Sequence, residues 1–140
     1  MGRRFYISIL SFLMLSLLVA CTASSGSSIQ PVEVRITAGD YSFKSSLTSF
    51  EQGVPYHFVV SNEGSVEHEF MIVKPMPTSG DMEEMDAQAL AHIEEDDLKP
   101  GQTASIDYTF TQAYPSGTLE FSCHLPGHYE QGMHLAIDVK

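Results

Sequence analysis

Basic residues are scarce in this chain: Lys and Arg number 7 against 18 Asp and Glu, giving a formal charge of −11. So acidic a surface excludes nucleic acid as a partner and excludes electrostatic adsorption to anionic lipid headgroups. Cysteine is scarcer still, with only Cys21 and Cys123 in 140 residues. No nucleophile–base pair and no phosphate-cradling loop can be recognised, so hydrolytic and group-transfer activities find no support and the chain is not expected to be an enzyme. No internal repeat is present.

The N-terminus carries the one long apolar run. Arg3 and Arg4 precede residues 5–18, which are interrupted only by Ser8, Ser11 and Ser16, and Leu18-Val19-Ala20-Cys21 follows. A basic start, an apolar middle and a small-residue cleavage site describe a secretory signal over residues 1–20. The cysteine directly after Ala20 resembles the lipobox of bacterial lipoproteins, which implies acylation of Cys21 and export to the cell envelope. An ordinary signal peptide or an uncleaved anchor is the competing reading. Cleavage would leave 120 residues with five basic against eighteen acidic side chains, a formal charge of −13. That length fits one domain with its own core. Stable anchoring normally takes more than one acyl chain. Residues 21–31, small and polar, read as a flexible tether. With Cys21 acylated, Cys123 has no intramolecular partner, and a leftover thiol in an exported protein needs a reason.

From residue 32 onward the pattern becomes short alternating runs. Val32, Val34 and Ile36 share one face, as do Ile106, Tyr108 and Phe110, and Leu135, Ile137 and Val139. Further strand candidates are residues 41–43, 56–60, 67–73 and 118–123, separated by turn signals such as Asn62-Glu63-Gly64 and Pro115-Ser116-Gly117. This predicts an all-β domain over residues 32–140, an antiparallel Greek-key sandwich. Residues 75–99 break the rhythm. They are acidic, and Met82, Met85, Ala89 and Ile93 fall at helical spacing, which predicts a short amphipathic helix lying on the sandwich. Thr78 or Ser79 is a candidate N-cap.

The chemistry is concentrated near the C-terminus, where Cys123, His128 and Met133 are spaced C-x4-H-x4-M. Thiolate, imidazole and thioether together suit copper in both oxidation states, and two His with Cys and a weak axial Met is the blue-copper pattern. A second histidine must come from elsewhere among the other five. Strand phase selects His68, in register with Phe70 and Ile72. It likewise turns Cys123 inward with Leu119 and Phe121, and Met133 inward with Leu135, Ile137 and Val139. His124 and His134 take the opposite phase and are expected to face solvent; His57 is ambiguous. His128 needs no phase, because Pro126-Gly127 can turn it toward the metal.

This run, with its upstream histidine and sandwich pattern, resembles the cupredoxin family of blue copper proteins, with a ligand loop similar to those of auracyanin and rusticyanin. The resemblance covers roughly residues 32–140. It implies one copper ion cycling between Cu(I) and Cu(II), with His68, Cys123 and His128 as equatorial ligands and Met133 as the axial one. Many members carry Asn after the first histidine, tying the two ligand segments together; here Glu69 stands in its place. The loop has one cysteine, whereas a dinuclear copper centre needs two. The leading expectation is a monomeric one-electron carrier on a lipid anchor, with a basic redox partner such as a cytochrome c. The alternative is a copper-binding protein of homeostasis or delivery, for which Met71, Met76, Met82, Met85 and His92 would offer a second Cu(I) site. Packing is the simpler reading of those methionines. The run Glu94 to Asp97 reads as a solvated loop.

Overall fold

A computed structural model describes residues 29–76 and 82–140. The expected signal peptide, the acylated Cys21, most of the tether and the Thr78/Ser79 cap lie outside the described residues.

Among the described residues, nine strands form two packed sheets. They are β1 (Val32–Gly39), β2 (Ser42–Ser45), β3 (Ser49–Phe50), β4 (Pro55–Asn62), β5 (Phe70–Val73), β6 (Ala91–Ile93), β7 (Thr103–Thr109), β8 (Tyr114–Ser122) and β9 (His134–Val139). One sheet has the order β2-β1-β4-β7 and the other β3-β9-β8-β5-β6. The sandwich is therefore as expected, but it is not wholly antiparallel. β1 runs parallel to β4, and β3 parallel to β9. The chain leaves the first sheet after β2, adds β3 to the edge of the second, and returns beside β1 in the same direction. Residue alternation reports which face is buried and says nothing of a neighbour's direction, so this lay beyond the pattern.

The alternating apolar positions meet between the sheets. Phe50, Phe58, Phe70, Phe110 and Phe121 are fully buried there and touch edge-on or tilted, Phe70 and Phe121 with centroids 5.1 Å apart. Each such ring contributes about 1.5–3 kcal/mol by leaving water.

β5 is buried at all four positions. Phe70 and Ile72 enter the main core, while Met71 and Val73 enter a smaller cluster with Met85, against which Met76 and Ala89 pack. The insertion covers the outer face of the second sheet and creates that cluster. Its helix is shorter than expected. α1 spans only Met82–Asp86, and Ile93 belongs to β6, which pairs antiparallel with β5. Ala91 and Ile93 are buried on one face with His92 between them on the other, a period of two that outweighs the helical spacing once an open strand edge is available. A 3-10 turn at Glu95–Asp97 follows, and Glu94, Asp96 and Asp97 are exposed as expected.

Phe58 meets the rings of Phe50, Tyr56, Phe70, Phe110 and Phe121 in the core. Phe58→Ala should cost about 3–5 kcal/mol in denaturant unfolding, whereas Val32→Ala at an exposed strand end should change stability by less than about 0.5 kcal/mol.

Candidate metal centre

The site stands at one end of the sandwich, where β5 begins, β8 ends and β9 begins. His68 lies two residues before β5 and keeps the phase of Phe70 and Ile72; Cys123 directly follows β8, and Met133 directly precedes β9. All three are fully buried, as strand phase requires. The Cys123 N–H donates to the Met133 carbonyl at 3.1 Å, extending the β8–β9 ladder one step into the site. Between them the loop folds back on itself. His128 N–H donates to Leu125 O at 2.9 Å, and Met133 N–H to His128 O at 3.1 Å. Gly127 takes φ 84° and Gly132 φ 104°, a left-handed backbone that a Cβ disfavours. The turn at Pro126-Gly127 thus delivers the His128 ring to the two strand-borne residues.

The donor atoms converge. His68 Nδ1 lies 3.3 Å from His128 Nδ1, and Cys123 Sγ lies 3.4 Å from His128 Nδ1. A first-row metal bonded to nitrogen at about 2.0–2.1 Å and to sulfur at about 2.3 Å holds such donors roughly 3.3–3.8 Å apart. The His-Cys-His group, whose donor atoms all lie within 4.8 Å of one another, therefore fits one ion. Burial lowers the proton affinity of His68, and the neighbouring His128 adds to the effect. Both favour the neutral imidazole that a metal requires. Burial pushes the Cys123 thiol up to about 12, while the backbone N–H groups of Glu69 and Leu125, both directed at the sulfur, pull the other way. At neutral pH the metal-free thiol keeps its proton, so a metal must displace it.

A tight shell holds His68 in place. Asn62 donates through Nδ2 to Val66 O at 2.8 Å and Leu98 O at 2.6 Å, and its Oδ1 accepts the Gly64 N–H at 2.8 Å. Asp40 accepts from the backbone N–H and the hydroxyl of Ser65. His68 Nε2 faces this loop, 3.9 Å from the Asp40 carboxylate. A Cβ on Gly64 would stand 2.5 Å from Asp40 Oδ1 and 2.9 Å from His68 Nε2, so the loop closes on the imidazole only with glycine there.

Glu69 is 1% exposed, and its Oε1 accepts the backbone N–H of His124. The carboxylate thus ties the first ligand segment to the cysteine segment, the part that the resemblance gives to an Asn amide. Sequence reasoning also passed over Tyr41, whose ring meets His128 edge-on at 5.1 Å from a backbone with φ 60°. Such a φ is costly for a non-glycine residue and clusters at functional sites. The turn signal Gly39-Asp40 beside it was the available clue.

The other histidines sort by face. His57 points outward from β4 and pairs with Asp107 at 2.6 Å. His134 is partly exposed, as expected. His124 is not: it is 5% exposed, which corrects the solvent-facing expectation. Its phase was read properly, but the outer face of the second sheet is covered. Its ring stacks on Tyr129 at 4.8 Å, Tyr129 stacks on His134 at 4.6 Å, and His124 Nε2 reaches Ser122 Oγ at 3.1 Å.

No family model matches the chain. It is 30% identical to the copper-resistant cuproprotein CopI of Pseudomonas aeruginosa over 132 aligned residues, covering 71% of each chain. It is 31% identical to the CopI of Rubrivivax gelatinosus over 104, covering 71% of this chain and 61% of that one. Among solved structures, reduced auracyanin from Roseiflexus castenholzii superposes with a TM-score of 0.58 at 21% identity, covering 80% of this chain and 98% of that one. Auracyanin A of Chloroflexus aurantiacus gives 0.56 at 20%, covering 79% and 100%. These structural likenesses establish the fold.

Gly64→Ala must displace Asp40 or His68. It should destabilise the fold by about 1–3 kcal/mol and weaken copper binding, which thermal unfolding with and without copper would measure together. An unchanged copper affinity would mean that the loop does not position His68.

Proposed function

The chain belongs to the family of the copper-resistant cuproprotein CopI and has the cupredoxin fold; from this premise we propose that it is a type 1 copper protein carrying single electrons at the outer face of a bacterial membrane. The observation that carries the reading is the convergence of three donors in a scaffold already closed around them, with His128 Nδ1 3.3 Å from His68 Nδ1 and 3.4 Å from Cys123 Sγ. Bound copper supplies one-electron chemistry between Cu(II) and Cu(I). His68, Cys123 and His128 would hold it, and Met133, buried at the head of β9, would offer a weaker thioether donor. The N–H groups of Glu69 and Leu125 draw charge from the sulfur and so bear on the potential. Because the loop is hydrogen-bonded end to end, the donors need not move between oxidation states. His128 is the ligand with partial exposure, beside the partly exposed Leu125 and exposed Pro126, and it forms the electron port. The acidic surface steers a basic redox protein.

A second reading is copper homeostasis or delivery, and the relatives' description as copper-resistant proteins favours it. Location follows from the lipobox-like Leu18-Val19-Ala20-Cys21: export and anchoring through an acylated Cys21, with residues 21–31 as the tether.

Visible spectroscopy during repeated reduction and reoxidation separates the readings. A carrier keeps its copper in the thiolate site and recovers its sulfur-to-copper band in each cycle. Loss of that copper to a chelator on reduction would point to delivery. Met133→Gln should keep the colour and lower the reduction potential, since a thioether favours Cu(I) over a harder oxygen donor; an unchanged potential removes Met133 from the ligand set.

Anchoring is tested separately. Cys21→Ser should release the protein from membranes or leave it unprocessed, as fractionation would report. Membrane attachment independent of Cys21 excludes lipidation.

A further inference from the structure

On the outer face of the second sheet, under α1, the insertion builds a cluster that the copper centre does not use. His92, at the middle of β6, is ringed by three carboxylates. Its Nε2 lies 3.4 Å from Glu69 Oε2, and its Nδ1 lies 3.5 Å from Glu94 Oε1 and 3.9 Å from Asp86 Oδ1. One donor atom from each of Glu69, Asp86 and His92 falls within 4.8 Å of the others. Glu69 directly precedes β5, Asp86 ends α1 and His92 lies in β6, so three separate parts of the chain deliver the group.

The cluster is short of partners. Asp86 Oδ1 and His92 Nε2 are cut off from solvent and have no hydrogen-bond partner. Glu69 is 1% exposed, with one oxygen on the His124 N–H and the other facing His92. Among the described residues no Lys or Arg forms an ion pair with Glu69, Asp86 or Glu94. A single imidazolium would leave this group with net negative charge, and buried polar atoms without partners call for an explanation such as a bound ion.

We propose that Glu69, Asp86 and His92 form a second metal site, for a divalent cation of borderline hardness and Cu(II) before others. One imidazole with two carboxylates is a harder set than the thiolate centre, and among first-row divalent ions an N/O site of this kind ranks Cu(II) highest. The thioethers nearby do other work. Met71 and Met85 pack with Val73, so the donors of the proposed site are carboxylate and imidazole. Bonds of about 2.0–2.2 Å bring donors within roughly 4.2 Å of each other, so the widest gap closes by less than about 1 Å, a movement suited to Asp86 at the end of a one-turn helix. Glu69 joins the two sites. Its backbone N–H points at the Cys123 sulfur and its carboxylate at the second cation.

The test uses the full chain, first given one equivalent of copper and then titrated with Cu(II), followed by electron paramagnetic resonance and calorimetry. The expected result is a second equivalent with an axial signal, no thiolate band and coupling to one imidazole nitrogen. His92→Gln and Asp86→Asn, on different elements, should each weaken that equivalent at least tenfold, while His57→Gln on the other sheet leaves it unchanged. Absence of a second equivalent, or one that survives both substitutions, overturns the site. The thiolate band of the first equivalent is read independently. Its absence beside a His92-dependent signal would defeat the carrier reading and support the second site.

Discussion

The hydrogen bond from the Cys123 N–H to the Met133 carbonyl is the constraint on which the centre depends. It continues the β8–β9 ladder past the last strand pair, so the loop between the two residues must close upon itself in a space fixed by the sheet. Closure is what gives the C-x4-H-x4-M spacing its meaning. Four residues reach from Cys123 to His128 through one left-handed glycine, and four more return to Met133 through another. The thiol, the imidazole and the head of β9 are then held by the same network that holds the fold. The main core, with Phe70 and Phe121 in it, lies directly beneath.

A carboxylate inside such a structure is expensive, and Glu69 shows how the cost is met. Burying an isolated ionised group is prohibitive, while one that accepts backbone N–H bonds and faces an imidazole is tolerated. One oxygen of Glu69 binds the strand that carries Cys123; the other looks across to β6. An amide at this position would satisfy the first role and leave nothing for the second. The insertion and the Glu69 substitution therefore belong together: β6 brings His92 to the oxygen that an amide would not have offered. His92 is held above its ordinary proton affinity, first by Glu69 and also by Glu94 and Asp86.

Much of this was legible in the sequence, and the reasons are physical. Period-two alternation placed His68, Cys123 and Met133 inward because the face between the two sheets is mostly apolar, so Phe70, Phe121 and Ile137 reported the phase of their neighbours. The same logic failed for His124. Its phase was right and its environment wrong, since the outer face of the second sheet is sealed by the insertion and by Tyr129, which no local pattern announces. Met85, Ala89 and Ile93 misled in a related way. Their spacing of four is helical, yet β5 offered an unpaired edge, and Ala91 to Ile93 took it. Direction of pairing in β1 and β4 is a property of the whole chain path, invisible to any window of residues. Tyr41 and Gly64 act through close approach to His128 and His68, which only the folded chain creates.

Burial around the centre is uneven, and this bears on what it can do. His68, Cys123 and Met133 are sealed at 0% exposure, whereas His128 is partly open. Any traffic with the outside passes the His128 corner. An electron needs only short distance and an apolar contact there, which Leu125 and Pro126 supply. A metal ion needs more, because the His128 ring must turn away from the thiol and lose its edge-on contact with Tyr41. Electron exchange leaves every one of these contacts intact. The cation site proposed at Glu69, Asp86 and His92, whose Asp86 sits at the end of a one-turn helix, has no comparable closure. The two places differ in closure: the thiol centre meets solvent only at the His128 corner, while Asp86 is itself part-exposed.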